Sequence, residues 1–208
     1  MIATKAIRSE FKRYDLSVTD EACEGVRVYI ELLLRWNRKI SLTSIEDPDE
    51  ILRLHFGESF LAAKIYDFRD GRLADVGSGA GFPGLALKIY APKLQVTLIE
   101  ANSKKCAFLA EVVRALNLPS VEIFRGRFQD YQSAAASFDF IASRALGQFA
   151  DFLSWSRSAL APEGRVILWL STAGASEVRS ASSKWDWSEP YQIPGSKSRL
   201  ILAGAPRS

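Results

Sequence analysis

The sequence predicts an α/β fold: a mostly parallel sheet with an antiparallel hairpin at one edge, led by an N-terminal helical extension. Three observations carry this prediction. From Arg72 onward short apolar runs alternate with helix-length segments, the pattern of successive βαβ units whose parallel strands are covered on both faces. The first of those runs, Leu73-Ala74-Asp75-Val76, leads straight into the glycine-rich turn Gly77-Ser78-Gly79-Ala80-Gly81-Phe82-Pro83-Gly84. The last two runs are separated by Pro194-Gly195-Ser196, a turn that fits an antiparallel pair.

Residues 1–70 read as entirely helical and form the extension; residues 71–208 form the core. Thr19 and Asp20 offer N-cap oxygens ahead of Val26, Tyr29, Ile30, Leu33, Leu34 and Ile40 at helical spacing,. Asp47-Pro48-Asp49-Glu50 is a helix start, with Asp as cap, Pro at the first position and Glu three residues after the cap,. Ile51, Leu52, Leu54, Phe56, Phe60 and Leu61 supply the buried stripe of that helix. Gly57 within it is unfavourable by roughly 1 kcal/mol relative to Ala. In the core, strands are expected at 72–76, 94–99, 120–124, 138–143 and 165–170, with helices near 83–90, 103–116 (capped by Ser103) and 148–160. Pro162-Glu163-Gly164 marks a turn before the fifth strand. A Ser-rich polar helix at 173–183, a strand near 187–193 and a final strand Arg199–Ala203 complete the chain.

At 208 residues the chain can bury one substantial core,. Hydrophobic residues at 48% and charged residues at 25% are those of a soluble globular protein,. A net charge of +3 permits an anionic partner such as RNA without requiring one,. Cys23 and Cys106 have no second cysteine nearby. A disulfide framework and a zinc site are therefore not expected, and a reducing cytoplasm is. No N-terminal signal pattern and no apolar run of about 18 residues occurs, so neither secretion nor a membrane span is expected.

The glycine turn departs from the dinucleotide pattern G-x-G-x-x-G,. A pyrophosphate site needs free amides at a helix start, and Pro83 has none to give. S-adenosylmethionine, with an amino acid tail and a nucleoside, needs no phosphate cradle. Asp75 and the backbone around Gly77 and Gly79 would hold its methionine part. Glu100, at the end of the next strand, is placed to accept the ribose hydroxyl protons; it reads equally as a carboxylate favoured near a helix start. In Arg125-Gly126-Arg127-Phe128-Gln129-Asp130, at the end of the third core strand, Gln129 or a backbone amide would read adenine. Arg144, ending the fourth core strand, suits phosphate or guanine recognition. Arg127 and Arg144 read singly as surface ion-pair residues, but strand-end features in consecutive order argue for a shared site.

These residues resemble the bacterial ribosomal small-subunit methyltransferase G family, also called glucose-inhibited division protein B. The carriers are Trp36-Asn37, Ile40-Ser41-Leu42-Thr43-Ser44-Ile45, Asp47-Pro48, Leu54-His55, the stretch Asp75 to Gly84, Lys104-Lys105 with Phe108-Leu109, Gly126-Arg127, and Ser143-Arg144-Ala145. The resemblance spans nearly the whole chain, and the segment before the glycine turn is its most specific part. It implies a Rossmann-like class I methyltransferase fold and an S-adenosylmethionine-dependent enzyme that methylates N7 of a guanine in the 530 loop of 16S ribosomal RNA. Its substrate would be that RNA or the small ribosomal subunit, with no metal, and the enzyme a cytoplasmic monomer. By the same resemblance Gly77, Phe82, Phe128, Gln129 and Arg144 contact the cofactor, with Glu100 on the ribose; their charge and strand-end positions direct Arg127 and Arg144 toward the RNA. The chain departs from the family at Leu54, where Arg is usual, at Glu58 for Asp, at Gln129 for Glu, and at Leu170-Ser171-Thr172, where Lys-Gly is typical.

Guanine N7 carries a lone pair and no proton, so no catalytic acid–base residue is expected. No Asn-Pro-Pro-Tyr stretch follows the fourth core strand and no Pro-Cys pair is present, the signatures of adenine amino-group and cytosine C5 methylation. His55, the sole histidine, reads as a packed, hydrogen-bonded residue and a contact between the extension and the core. Trp36, Trp155 and Trp169 read as core aromatics, and Trp185 and Trp187 as cover for the sheet edge. Lys104, Lys105, Arg114, Arg125 and Arg127 offer a phosphate-binding face, although a solvated helix face explains the lysines equally well. The competing readings are a class I methyltransferase with a small-molecule or protein acceptor, and an inactive RNA-binding module of the same fold.

Overall fold

A computed structural model describes residues 2–132, 137–144 and 147–207. Its strands are β1 (Arg72–Val76), β2 (Gln95–Glu100), β3 (Val121–Arg125), β4 (Phe138–Ser143), β5 (Leu160–Ser171), β6 (Trp185–Trp187), β7 (Tyr191–Gln192) and β8 (Arg199–Pro206). They form one sheet in the order β3-β2-β1-β4-β5-β8-β6, with β7 also paired to β8. The β3-β2-β1-β4-β5 portion is parallel, and β8 runs antiparallel to β5, β6 and β7. The sheet is thus mostly parallel, and the Pro194-Gly195-Ser196 turn joins β7 to β8 as expected. The strand expected near 187–193 is two short strands, β6 and β7. β8 lies inside the sheet, which leaves β6 as its edge. There Trp185 and Trp187 stack at 5.9 Å, and Trp187 lies over Gly204, where a side chain would collide with the indole.

The helices are α1 (Thr4–Arg13), α2 (Asp20–Asn37), α3 (Pro48–Ile51), α4 (Glu58–Ile65), α5 (Gly84–Tyr90), α6 (Ser103–Ala115), α7 (Phe149–Ala159) and α8 (Thr172–Ala181). Thr19 caps α2, its hydroxyl oxygen accepting from the Ala22 amide at 3.1 Å. Asp47 caps α3, accepting from the Asp49 and Glu50 amides at 3.0 and 2.9 Å. The extension is not wholly helical. Between Asn37 and Asp47 the chain is a loop held by Asn37, whose Oδ1 accepts from the Leu42 and Thr43 amides at 2.8 and 3.0 Å. The cap of α6 is Asn102, not Ser103: its Oδ1 accepts from the amides of Lys104 and Lys105. β5 begins before the expected turn, and Ala161 to Gly164 bulge out where the pairing steps from Phe138↔Leu160 to Phe140↔Arg165.

Between α3 and α4, Leu52–Gly57 forms a π-helical turn, a widened geometry often found at functional sites. A Cβ on Gly57 would lie 3.0 Å from the ring of Tyr14, the residue that closes α1, so that ring packs against bare backbone there. That contact accounts for a glycine that helix propensity alone disfavours.

Side chains alternate across the sheet. Leu73 and Leu98 join the layer that packs under α1, α2, α4, α5 and α6, with Phe11, Tyr29, Phe56, Phe60 and Phe108. Ala74 and Ile99 join the other layer, with Phe152 and Leu153 of α7 and Val178 of α8. The carboxyl ends of β1, β2, β3 and β4 lie along one rim, where ligands bind in open α/β sheets. Among the described residues no helix is long and apolar enough to cross a membrane.

Candidate cofactor site

The backbone leaving β1 must reverse within a few residues to start α5. Gly77, Gly79 and Gly81 do this with φ of +73°, +56° and +85°, a region costly for residues with a Cβ. The turn is pinned from several sides. The amides of Gly77 and Ser78 donate to Ile99 O at 2.9 and 3.2 Å, and the Gly81 amide donates to Ser78 O at 2.7 Å. The Ser78 hydroxyl donates to Asp75 O at 2.8 Å. A Cβ on Gly77 would meet nothing within 4 Å, whereas one on Gly81 would run into the Tyr29 hydroxyl. Gly77 therefore borders open space, and Gly81 admits the extension.

Glu100, ending β2, fixes the turn to the next loop. One carboxylate oxygen accepts from the Gly79 amide and the other from the Asn102 amide, both at 2.8 Å. With its backbone carbonyl accepting from the Gly126 amide at 3.1 Å, Glu100 ties three strand-end loops together. It lines a cavity of about 400 Å³ with Gly77, Ala101, Arg127, Phe128 and Gln129 among its walls, within the roughly 300–1,000 Å³ range of small-molecule sites. Phe128 lies in a one-turn 3₁₀ helix, Phe128–Asp130, buried edge-on against Phe152 and Trp155 at 6.2 and 5.6 Å. Gln129 and Arg127 are exposed at the mouth. Gln148, a lining residue ahead of α7, carries no motif in the sequence.

Three residues expected at the ligand lie elsewhere. Asp75, expected on the methionine part, is fully buried. It shares with Leu73 the sheet face covered by α5, and its Oδ2 accepts from the Gly84 amide at 2.9 Å. Its Oδ1 has no hydrogen-bond partner. Burial, with the charge of Glu100 adding, raises its pKa to about 7 against the opposing Gly84 hydrogen bond and Arg144. Asp75 thus braces the start of α5 from below the turn. Phe82 stacks between Tyr29 (5.4 Å) and His55 (4.7 Å), with Phe56 edge-on at 5.0 Å. It joins the turn to the extension and does not line the cavity.

Arg144 is directed at the π-helical turn. Its guanidinium donates to Glu58 Oε2 at 2.7 Å, Leu54 O at 3.0 Å and His55 O at 3.4 Å. Ser143 before it donates its hydroxyl proton to Val76 O at 2.8 Å, and Ala145, the last residue of that motif, lies outside the described residues. Glu58, to which the sequence reading gave no role, is a buried carboxylate between two guanidinium groups. Arg199 of β8 lies 3.0 Å from its Oε1, close enough for an ion pair though not aligned as a hydrogen bond. Burial raises the Glu58 pKa against the pull of Arg144 and Arg199. The one sign of this role in the sequence is an acid within the apolar run from Ile51 to Leu61.

His55 does not line the cavity. Its Nε2 is 2.9 Å from the Thr43 hydroxyl, and burial, with Arg144 adding, lowers its pKa to about 4. The ring is neutral at pH 7 and serves as the packed contact expected of it.

The residues fit S-adenosylmethionine on their own geometry. Gly77 leaves clear space for close approach, the Glu100 carboxylate lies at the cavity wall, and Phe128 and Gln129 form an apolar and a polar side for a purine. A family model described as rRNA small subunit methyltransferase G matches residues 22–201. The chain is 32% identical over 170 residues to "Ribosomal RNA small subunit methyltransferase G" of Mycoplasma capricolum, covering 82% of this chain and 74% of that one. It is 39% identical over 150 residues to the protein of the same name from Aquifex aeolicus, covering 70% and 74%. A solved SAM-dependent methyltransferase from Aquifex aeolicus superposes with TM-score 0.62 at 16% identity, covering 78% of this chain and 95% of that one, a likeness of fold. The chain belongs to the rRNA small subunit methyltransferase G family.

Proposed function

We propose that this chain transfers the methyl group of S-adenosylmethionine to N7 of a guanine in the 530 loop of 16S ribosomal RNA. It acts as a cytoplasmic monomer on the small subunit or its precursor, with residues 1–70 as an extension packed on the catalytic core. Gly77 and Gly79 give the cofactor backbone access, Glu100 holds the ribose hydroxyls, and Phe128 and Gln129 flank the adenine. When bound, the cofactor supplies a methyl group on a positively charged sulfur, which the free lone pair of N7 takes without a base.

The observation that carries this reading is the state of the titratable groups around the cavity. Among the described lining residues only Glu100 is an acid, and both its oxygens are held by backbone amides. The sole histidine is neutral and packed on Phe82. Such a site orients and desolvates its reactants, which is what N7 methylation requires. Arg127 lies at the mouth, and Arg144 keeps the Leu54–Glu58 segment against the end of β4, beside the path of an incoming base.

The test is transfer of labelled methyl to small subunits isolated from cells that lack the modification, followed by mapping of the labelled nucleotide. Label on N7 of a 530-loop guanine is expected. Label on another base, or none on RNA, refutes the proposal.

A further inference from the structure

Many cations of this protein are paired with acids. At the amino ends of the strands, Arg69, Arg72 and Lys93 each pair with an aspartate: Asp67, Asp139 and Asp70. On the outer helices Arg8, Arg13 and Arg27 are likewise paired with acids. A second group differs. Arg38 and Lys39 after α2, Lys104 and Lys105 at the start of α6, and Arg125 and Arg127 at the end of β3, the last of them a wall of the cavity, make no salt bridge and no side-chain hydrogen bond among the described residues; all are exposed except Lys105, which is half-buried. Neutralising neighbours are cheap to provide on a surface, so a run of uncompensated cations marks a place where the protein's own field attracts an anion.

These residues come from three segments that the fold joins side by side. Arg125 ends β3 next to Glu100, and its charge reaches Cys106 in the first turn of α6. Lys104 and Lys105 occupy that same turn. One turn further along α6, Phe108 packs against Trp36 at 5.8 Å, and the Trp36 indole donates to Glu111 at 2.9 Å. Arg35 pairs with the same carboxylate. The end of α2 is therefore clamped to α6, and Arg38 and Lys39 follow directly after it. The other described cations without such partners are Lys5, Lys12, Arg114, Arg165 (which lies over the Tyr66 ring), Lys184 and Lys197; they lie apart on α1, the far end of α6, β5 and the turns beside the C-terminal strands.

We infer that Arg38 and Lys39, with Lys104, Lys105 and Arg125, form a track for the phosphate backbone of folded RNA, leading to the cavity at Arg127. The inference rests on the proposed RNA substrate. It makes the end of α2 a substrate-docking element in addition to a packing one. The occupant is RNA because the track is a set of separate point charges with no large exposed apolar side chain among them; of the described residues the one large exposed hydrophobic, Tyr191, lies on β7. A membrane surface would call for apolar residues to insert.

The test compares the protein with a variant carrying Arg38→Gln, Lys39→Gln, Lys104→Gln and Lys105→Gln. Binding to small subunits and to 16S RNA is measured from 50 to 300 mM salt, and S-adenosylmethionine binding is titrated as a check on folding. A control carries Lys5→Gln, Lys12→Gln, Lys184→Gln and Lys197→Gln, with the same loss of charge elsewhere. Each phosphate contact contributes about 0.7–0.9 to the slope of log K against log salt. The track variant is expected to lose about 3 from that slope and at least tenfold in RNA affinity, with cofactor binding intact and the control unchanged. An unchanged slope in the track variant, or an equal loss in the control, overturns the inference while the substrate proposal stands. Wild-type protein that prefers anionic vesicles to RNA overturns both.

Discussion

Glu100→Gln separates the two functions assigned to one carboxylate. Glu100 accepts from the Gly79 and Asn102 amides with different oxygens, both at 2.8 Å. Glutamine has nearly the same shape but only one acceptor oxygen; the other position becomes an NH₂ group. One of the two amides then faces a donor. Leaving a buried donor unsatisfied costs about 1–3 kcal/mol, and this partly buried site belongs in the lower half, about 1–2 kcal/mol. For a chain of this size that is a fall in Tm of roughly 2–8 °C. Cofactor binding suffers more, because hydrogen bonds from the ribose hydroxyls to a charged acceptor are worth about 1.5–3 kcal/mol, or roughly 10- to 100-fold in Kd. Isothermal titration with S-adenosylmethionine and thermal melting, run on the same samples, give the two quantities. A variant that melts lower but binds the cofactor with unchanged Kd would refute the ribose role and leave Glu100 as a brace for the turn.

Gly77→Ala should lower stability by only about 1–2 kcal/mol, the cost of a Cβ at left-handed φ, because that Cβ would meet nothing within 4 Å; cofactor affinity should fall more than tenfold by titration, and retained affinity would sink the assignment of the space in front of Gly77. Arg144→Ala removes one of the two guanidinium groups around buried Glu58, so the loss should lie near the lower end of the roughly 3–5 kcal/mol for breaking such a pair, with methyl transfer reduced; an unchanged melting temperature would be inconsistent with the network. The pH dependence of stability has two opposed parts. His55, with its pKa lowered to about 4, takes up its proton more readily when unfolded, so its part rises between about pH 4 and 6.5; Asp75, raised to about 7, keeps its proton in the fold, so its part falls between about pH 4 and 7. Denaturant unfolding at pH 4.5 and 6.5 should therefore show Asp75→Asn gaining, and His55→Gln losing, of order 2–3 kcal/mol with rising pH, and slopes of the same sign in both variants would contradict this.

The sheet was legible because its strands are apolar runs cut by Gly, Pro and Asn, and because each cap stands beside its helix: Thr19 and Asp47 are both where the pattern puts them. Boundaries were legible only to a residue or two; Ser103 and Asn102 are equally good caps in composition, and the choice falls to whichever is left outside the helix. Gly77, Glu100 and Gln129, expected together because the strand ends of a βαβ series share one rim, line one cavity with Phe128, which the family resemblance named,. Asp75 and Arg144 could not, since a residue at a strand end points either into the cleft or under it. The face of the sheet decides for Asp75, and for Arg144 the decision rests with a segment nearly ninety positions away in the chain.

That segment also explains why a site of generic type is built with so much specific machinery around it. The Tyr29 hydroxyl donates to Ala80 O at 2.6 Å, Phe82 is held between Tyr29 and His55, and the widened turn at Leu52–Gly57 presents two carbonyls to Arg144. Trp169 of β5 donates its indole proton to Glu58 O at 2.8 Å, so the segment is bound from both sides. Each of these contacts joins the chain before the sheet to a residue at the rim of the sheet. The glycine turn supplies space for a cofactor, as it does in many proteins of this fold. The far side of that turn, at Ala80 and Phe82, is held by α2 and the π-helical turn, and the same π-helical turn holds Arg144. A substitution in the extension should therefore alter the site without touching it, and Gly57, flush against Tyr14, is the position where a single added methyl group would test that most directly.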